Sequence, residues 1–155
     1  DETARGPDGF DHIEFWVETN PGSRPGPMMK VASGGELSRF MLALKVSLAD
    51  RGSAPTLVFD EIDTGISGRT SDAVGKRMKA LATKAQILAV THQPQIASKA
   101  DNHYKIAKID DGKKVSTKIK QLNSPEKIEE IARMLSGENI SPQAIEVAKN
   151  LLSEQ

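Results

Sequence analysis

The sequence predicts an α/β fold, in which a mostly parallel sheet is flanked by helices and a β-hairpin lies near the C-terminal part. Short apolar segments at 57–59 and 87–90 alternate with amphipathic helical patterns, an order typical of parallel strands with helical crossovers. Two alternating segments, 104–109 and 115–122, flank an Asp-Asp-Gly turn and predict the hairpin. Aromatic residues make up only 4% of the 155 residues, so we expect an aliphatic core.

The N-terminal third contains a strand pattern, a loop and a helix pattern. Residues 1–9 are polar and are expected to form a flexible lead-in, and 11–19 alternates apolar with polar residues as a strand does. Residues 20–27 hold three prolines and two glycines, which predicts an exposed loop. Apolar residues then recur at helical spacing, and the predicted helix runs from the Ser33-Gly34-Gly35 sequence to about Asp50.

Helices connect and follow the remaining strands. The first is predicted at 68–84, between the two apolar strands, and a short one at 94–100 follows the second strand. After the hairpin, two helices open with Ser-Pro, so Ser124 and Ser141 are predicted as their N-caps. We expect a single domain over residues 1–155.

Composition excludes several classes of protein. Lys and Arg number 21 and Asp and Glu also 21, so any contact with DNA must come from a local basic patch. The absence of cysteine excludes disulfides and cysteine-ligated zinc. No apolar run approaches the ~20 residues that a membrane span needs, so we expect no membrane partner.

The sequence Ser33-Gly34-Gly35-Glu36 has two interpretations. It fits a capping box, in which the Ser33 hydroxyl and the Glu36 carboxylate satisfy free backbone N–H groups at a helix start. Alternatively, the two glycines let a phosphate approach the helix N-terminus, where N–H groups and the helix dipole favour an anion. The sequence leaves both open.

Acidic residues follow the first apolar strand directly. Asp60 and Glu61 stand where the strand ends, and Asp63 follows two residues later. Ligands bind at this end of the strands in open α/β sheets, and adjacent carboxylates there suit a magnesium ion and an attacking water. The alternative is a pair of solvated turn residues.

The second apolar strand ends in Thr91-His92, the equivalent place on the sheet. A lone histidine is more often structural than catalytic, but if the two strands are neighbours His92 lies near Glu61. A phosphate-binding Walker A sequence is absent from the 155 residues. The partial match at 68–77 has the wrong spacing and falls within a predicted amphipathic helix.

Together these motifs resemble the C-terminal lobe of a P-loop, ATP-binding-cassette ATPase head, as in the SMC-like chromosome and repair ATPases. The segment Ser33–Arg39 resembles the signature motif, 57–61 the Walker B strand, 63–68 the D-loop and His92 the switch histidine. The longer strings around these motifs are most similar to the bacterial double-strand-break repair ATPases of that family.

The resemblance implies a site for ATP and Mg²⁺ shared between two heads. Asp60 would support Mg²⁺, through water, Glu61 would polarise the attacking water and His92 would sense the γ-phosphate. Asp63 would contact the opposing head. The signature residues would cap the nucleotide of that head; they are Ser33, Gly34, Gly35 and Glu36.

The resemblance also implies partners outside these residues. Walker A would lie in an N-terminal lobe of the same head, so the chain is expected to be a fragment that does not hydrolyse ATP alone. A second head would bind when ATP is present, and DNA would bind the whole protein, with Lys113 and Lys114 of the hairpin as candidate contacts. We expect a bacterial cytoplasmic, nucleoid-associated protein that acts in DNA repair and recombination. Alternatives are a lobe of another SMC-like ATPase and a non-catalytic DNA-binding or dimerisation module.

Overall fold

The computed structural model describes residues 9, 13–18, 20–47, 55–110, 112 and 115–154. From residue 34 onward, helices and strands follow one another in the order that the sequence predicts. The elements are β1 (Trp16–Val17), β2 (Gly26–Pro27), α1 (Met28–Val31), α2 (Gly34–Ser47), β3 (Thr56–Phe59), α3 (Gly68–Leu81), β4 (Gln86–Ala89), α4 (Pro94–Ala97), β5 (Tyr104–Asp110), β6 (Val115–Gln121), α5 (Ser124–Ser136) and α6 (Pro142–Ser153).

Among the described residues, the strands form three two-stranded sheets. β3 and β4 pair in parallel, with Phe59 opposite Ala89, and α3 is their crossover helix. β5 and β6 form the predicted antiparallel hairpin. The α/β class is confirmed, but within the described residues parallel pairing is limited to β3 and β4, so the expectation of a mostly parallel sheet holds only for that pair.

Residues 11, 12 and 19 of the strand predicted at 11–19 lie outside the described residues, and within 13–18 the strand is shorter than expected. β1 holds only Trp16 and Val17 and pairs with Gly26 and Pro27 of the predicted loop. Pro27 has no backbone N–H, and the pairing ends with one bond beyond it, from the Met28 N–H at the start of α1 to the Phe15 carbonyl at 2.8 Å. The prediction failed because alternation alone cannot show whether a partner strand is available.

The first of two core clusters lies between β3, β4 and helices α2, α3 and α4. It is almost wholly aliphatic, as predicted, with Phe59 as its aromatic member. Its buried residues are Leu42, Phe59, Ile62, Val74, Met78, Leu81 and Ile96.

The second cluster joins α5 and α6 to α4. Ile131, Ala132 and Ala148 are completely buried there. Helix α4 connects the two clusters, because Ile96 packs into the first and Ala97 into the second. The C-terminal helices are therefore fixed to the part of the molecule that holds β3 and β4.

Helices α5 and α6 begin with side-chain caps. Ser141 caps α6 as predicted, accepting a hydrogen bond from the Ala144 N–H at 3.1 Å. Helix α5 is capped by Asn123 rather than by the predicted Ser124, because Asn123 and Glu126 form a reciprocal capping box. None of the described helices is long and apolar enough to cross a bilayer.

Candidate functional site

The two parallel strands bring their carboxyl ends to one edge. The Val90 N–H donates to the Phe59 carbonyl at 2.9 Å, so the pairing continues up to the point where both strands end. An open cleft of about 250 Å³ lies there. Its lining confirms the expected neighbourhood of the acidic residues and the histidine, and consists of Asp60, Glu61, Asp63, Thr64, Val90, Thr91 and His92.

Asp60 is exposed at the edge of this cleft, and its Oδ1 accepts the Glu61 N–H at 2.9 Å. Within the described residues, no group of three or more acidic or histidine side chains forms a metal cage. Magnesium is commonly held by one or two carboxylates, with water and substrate phosphates completing the shell. An exposed carboxylate at the end of β3 fits that role.

Glu61 has an unusual backbone conformation. Its φ angle is 57°, and it is the only non-glycine residue with positive φ in the described part of the chain. Such left-handed conformations are disfavoured for residues with a Cβ and concentrate at functional sites. A Cβ placed on Gly34 would lie 2.6 Å from Glu61 Oε2, so the carboxylate rests against the start of α2.

Asp63 is buried, with 3% of its surface exposed. Its Oδ2 accepts hydrogen bonds from the Thr91 hydroxyl and, at 2.8 Å, from the His92 N–H. Burial alone would raise the pKa of Asp63, but these hydrogen bonds outweigh it and hold the pKa below its ordinary value. The carboxylate is therefore engaged within its own chain, and the expected contact with an opposing head stays a prediction.

His92 is exposed at the other side of the cleft. Its Nδ1 lies 3.1 Å from Asp63 Oδ2, while three quarters of the side chain (75%) is exposed. Thr91 was not predicted to matter, yet its hydroxyl shares the same carboxylate oxygen. A backbone bond and a ring contact to one buried acid orient the imidazole, and its Nε2 lies 3.5 Å from Gln93 Nε2.

The Ser33–Glu36 capping box is confirmed. The Ser33 N–H and hydroxyl donate to Glu36 Oε2 at 2.8 and 2.9 Å, and the Glu36 N–H approaches Ser33 Oγ at 3.4 Å. Hydrogen bonds from Ser33 hold the pKa of Glu36 below its ordinary value. Ser33 and Gly34 remain exposed at the helix N-terminus.

Two residues that were not assigned a role connect α2 to the acidic loop. The Ser38 hydroxyl donates to the Asp60 carbonyl at 3.0 Å, and Arg39 Nη1 donates to the carbonyls of Ile62 and Thr64 at 3.3 and 2.8 Å. Helical spacing could have indicated Arg39, because residues 35 and 39 share one face of the helix.

The basic hairpin is only partly available for DNA. Lys105 pairs with Glu130, and Lys120 pairs with Glu126 on α5. Lys108 and Lys118 are exposed. The predicted contacts Lys113 and Lys114 lie outside the described residues.

Comparisons with known proteins agree with the motifs. Residues 28–115 match the model of the RecF/RecN/SMC N terminal domain family. The chain is 50% identical over 145 residues to DNA repair protein RecN of Rickettsia conorii and 47% identical over 148 residues to that of Xylella fastidiosa. These alignments cover 94% and 96% of the chain but 27% of each relative. The chain thus spans little more than a quarter of the length of these relatives.

Solved structures show the same fold at low sequence identity. One, from work on ATP-driven dimerisation and DNA-stimulated activation of SMC ATPases, has a TM-score of 0.53 and 18% identity, covering 80% of this chain and 81% of that one. Another, an Smc head domain with coiled coil and joint from Pyrococcus yayanosii, has a TM-score of 0.54 and 17% identity, covering 90% of this chain and 25% of that one. The predicted ATPase-head lobe is thereby confirmed as the fold. With over half of its residues matched by the family model, the chain belongs to the RecF/RecN/SMC family.

Proposed function

We propose that this chain supplies half of a composite ATP-hydrolysing site in a RecN-type ATPase that acts in DNA double-strand-break repair and recombination. The observation that carries the proposal is the cleft at the carboxyl ends of β3 and β4, where Asp60, Glu61 and His92 line one space. The exposed start of α2 lies beside it, in contact with Glu61. One lobe thus contributes the carboxylates, the histidine and an exposed helix N-terminus.

Each residue has a role that its surroundings support. Asp60 holds Mg²⁺, through water, with its exposed carboxylate. Glu61 orients and polarises the attacking water, and His92 contacts the γ-phosphate from the end of the neighbouring strand. Asp63 keeps the His92 imidazole in position through the bonds described above. Bound ATP and Mg²⁺ supply the phosphoryl chemistry, and these side chains supply position and charge.

The phosphate cradle itself belongs to an N-terminal lobe of the same head. The exposed outer face of β3 and β4 supports this, since Val58 is 67% and Leu88 49% exposed although they are register partners on one face. Parallel sheets are normally covered on both faces. The relatives are almost four times longer than the aligned part, so the remainder of such a protein is long enough to cover this face.

A second head completes the site. Ser33, Gly34 and the N–H groups at the start of α2 form an exposed anion-binding helix end. This end caps the nucleotide of the opposing head, so ATP holds two heads together and hydrolysis releases them. When the protein is bound to DNA, this cycle tethers or remodels broken DNA ends. The process takes place in the cytoplasm, at the nucleoid.

The test uses the full-length protein. Glu61→Gln is expected to lower ATP turnover by about a hundredfold or more and to accumulate an ATP-bound dimer, because binding is kept while water activation is lost. Turnover assays and size-exclusion chromatography with light scattering measure both effects. Glu129→Gln, an exposed residue of α5, is the matched control. Equal turnover in the Glu61 and Glu129 variants would refute the assignment.

Two further expectations separate this proposal from its alternatives. The 155-residue chain alone is expected to show no ATP turnover, whereas a purely DNA-binding module would bind random duplex DNA without needing the rest of the protein. DNA contact by the hairpin would involve exposed Lys108 and Lys118 together with Lys113 and Lys114. Binding that is independent of salt concentration would speak against such phosphate contacts.

A further inference from the structure

A second cleft lies between helices α5 and α6. It is an open groove of about 320 Å³, and it shares no lining residue with the cleft at the ends of β3 and β4. Its lining consists of Ser124, Lys127, Ile128, Lys149, Leu152 and Ser153. Two ammonium groups, two hydroxyls and two aliphatic side chains therefore line one space, and no carboxylate does.

The positive charge of this groove is not cancelled by two carboxylates next to it. Glu126, in the first turn of α5, is paired with Lys120 of the hairpin. The Asp101 carboxylate is paired with Lys79 at 2.5 Å. Lys127 donates to the backbone carbonyl of Asp101 at 2.5 Å, a contact that holds the ammonium in place without removing its charge. The groove thus keeps an excess of positive charge.

The helix ends beside the groove also favour an anion. Helix α5 begins at Ser124, so the positive end of its dipole lies at the groove. Helix α6 ends at Ser153, and its carbonyl end would repel an anion. There the buried Lys99, only 4% exposed, donates to the Glu154 carbonyl at 3.2 Å. This cation offsets the negative end of α6.

We propose that the groove between α5 and α6 is a contact site for the phosphate backbone of DNA. Lys127 and Lys149 pair with backbone phosphates, and the Ser124 hydroxyl donates to a phosphate oxygen. Ile128 and Leu152 contact the deoxyribose. The inference rests on the proposed function, in which the whole protein binds DNA, and it adds a contact surface outside the hairpin.

The shape and position of the groove favour DNA over a free phosphate. An open groove lets a polymer enter and leave, whereas small ligands are usually held in pockets that bury most of their surface. The hairpin lies next to the first turn of α5, because Lys120 is paired with Glu126, the residue before Lys127. One duplex can therefore contact the groove and the hairpin together. Since no aromatic or amide side chain lines the groove, the contact is expected to be independent of DNA sequence.

The test measures the affinity of the full-length protein for a short labelled duplex of random sequence over a range of salt concentrations. Lys149→Gln is expected to weaken binding about tenfold at about 0.1 M salt and to reduce the slope of log K against log salt by about one. Lys127→Gln should have a similar effect, and the double variant should reduce the slope by about two. ATP turnover in the absence of DNA should be unchanged, because neither lysine lines the ATP cleft.

Lys149 is the decisive position, because it is exposed and its replacement removes no contact within the fold's interior. Lys149→Arg retains the charge and should keep the wild-type slope. Arg77→Gln, which removes an exposed charge from α3, should match the wild type. An unchanged slope in Lys149→Gln, equal losses in Lys149→Arg, or binding of inorganic phosphate by the groove with unchanged DNA affinity would overturn the inference. Normal ATP turnover in Glu61→Gln would instead refute the proposed function.

Discussion

Two adjacent glycines at the start of α2 have different surroundings and different purposes. Gly34 faces the end of a flexible side chain, the Glu61 carboxylate, at 2.6 Å from a hypothetical Cβ. Gly35 is buried and faces backbone, the Thr64 carbonyl, at 2.9 Å. A side chain can turn away at little cost, whereas a backbone carbonyl in a bonded turn cannot. Gly34 therefore leaves room for a functional group, and Gly35 permits packing.

Alanine at these two positions should have opposite effects. Gly34→Ala is expected to leave the free energy of unfolding within about 0.5 kcal/mol but to impair ATP turnover, since the Glu61 carboxylate is displaced. Gly35→Ala should cost about 1–3 kcal/mol, because the new methyl group meets backbone. Denaturant unfolding and turnover assays on the two variants check this. Equal destabilisation by both changes would show that the difference in their neighbours is unimportant.

At the scale of secondary-structure elements, Glu130 anchors the hairpin to helix α5. Its carboxylate is bonded to Lys105 of β5 at 2.6 Å and to Arg133 one turn later on its own helix. Burial alone would raise the pKa of Glu130, but these partners outweigh it and lower the pKa. An edge hairpin of two strands is only marginally stable by itself, so this anchor determines where it sits.

Removal of the Glu130 charge should loosen the hairpin. Glu130→Gln is expected to cost about 2 kcal/mol of unfolding free energy, as for a lost hydrogen bond to a charged partner in a buried place. The neighbouring Glu129→Gln, on the exposed side of the same helix, should stay within about 0.5 kcal/mol. Denaturant unfolding compares the two, and hydrogen exchange of the β5 amides reports the loosening directly. Indistinguishable unfolding curves for the two variants would show that Glu130 does not anchor the hairpin.

Two buried carboxylates, each bonded to a second part of the fold, predict how the free energy of unfolding changes at acid pH. The pKa values of Asp63 and Glu130 lie below their ordinary values of 3.8 and 4.5 in the folded chain. Each therefore contributes stability above its ordinary pKa, and this contribution is lost as pH falls through the lower folded-state pKa. Burial lowers the pKa of His103, so unfolding free energy should already fall somewhat as pH drops below the ordinary histidine pKa of 6.5. The two carboxylates should add a steeper decline below about pH 4.5. The decline should be shallower in the Asp63→Asn variant. An equally steep dependence of unfolding free energy on pH would show that Asp63 does not contribute to it.

At the scale of the whole molecule, the described residues cover β3 and β4 on one side only. The buried face packs on α2, α3 and α4, whereas Val58 and Leu88 project from the other face, and Val90 beyond β4 is 56% exposed. Apolar area of this kind on a parallel pair marks an interface. In the proposed function, this face packs against the N-terminal lobe of the same head.

A charge on that face should separate assembly from folding. Leu88→Asp is expected to leave the 155-residue chain as stable as the wild type within about 1 kcal/mol, because the side chain is exposed there. In the full-length protein the same change should impair ATP turnover and increase proteolysis between the lobes, since a charge is then buried. Val147→Asp, on exposed α6 surface, is the control. Normal ATP turnover in the full-length Leu88→Asp protein would show that the other lobe does not contact this face.

Local sequence patterns were sufficient for the class of fold, for most element positions and for placing the candidate site residues at the ends of strands and helices. Three features follow from residues close together in the sequence or from the position of a strand end, and each lies where the pattern predicts. They are the Asp60-Glu61 pair, His92 and the Ser33–Glu36 capping box. Contacts between residues distant in sequence could not be obtained in this way. Asp63 becomes a buried acceptor for Thr91 and His92 through a bond that spans 29 residues, and Arg39 reaches a loop 23 to 25 residues away. Such contacts arise when helices and strands pack, because periodicity shows which face of an element is buried but not which residues it meets.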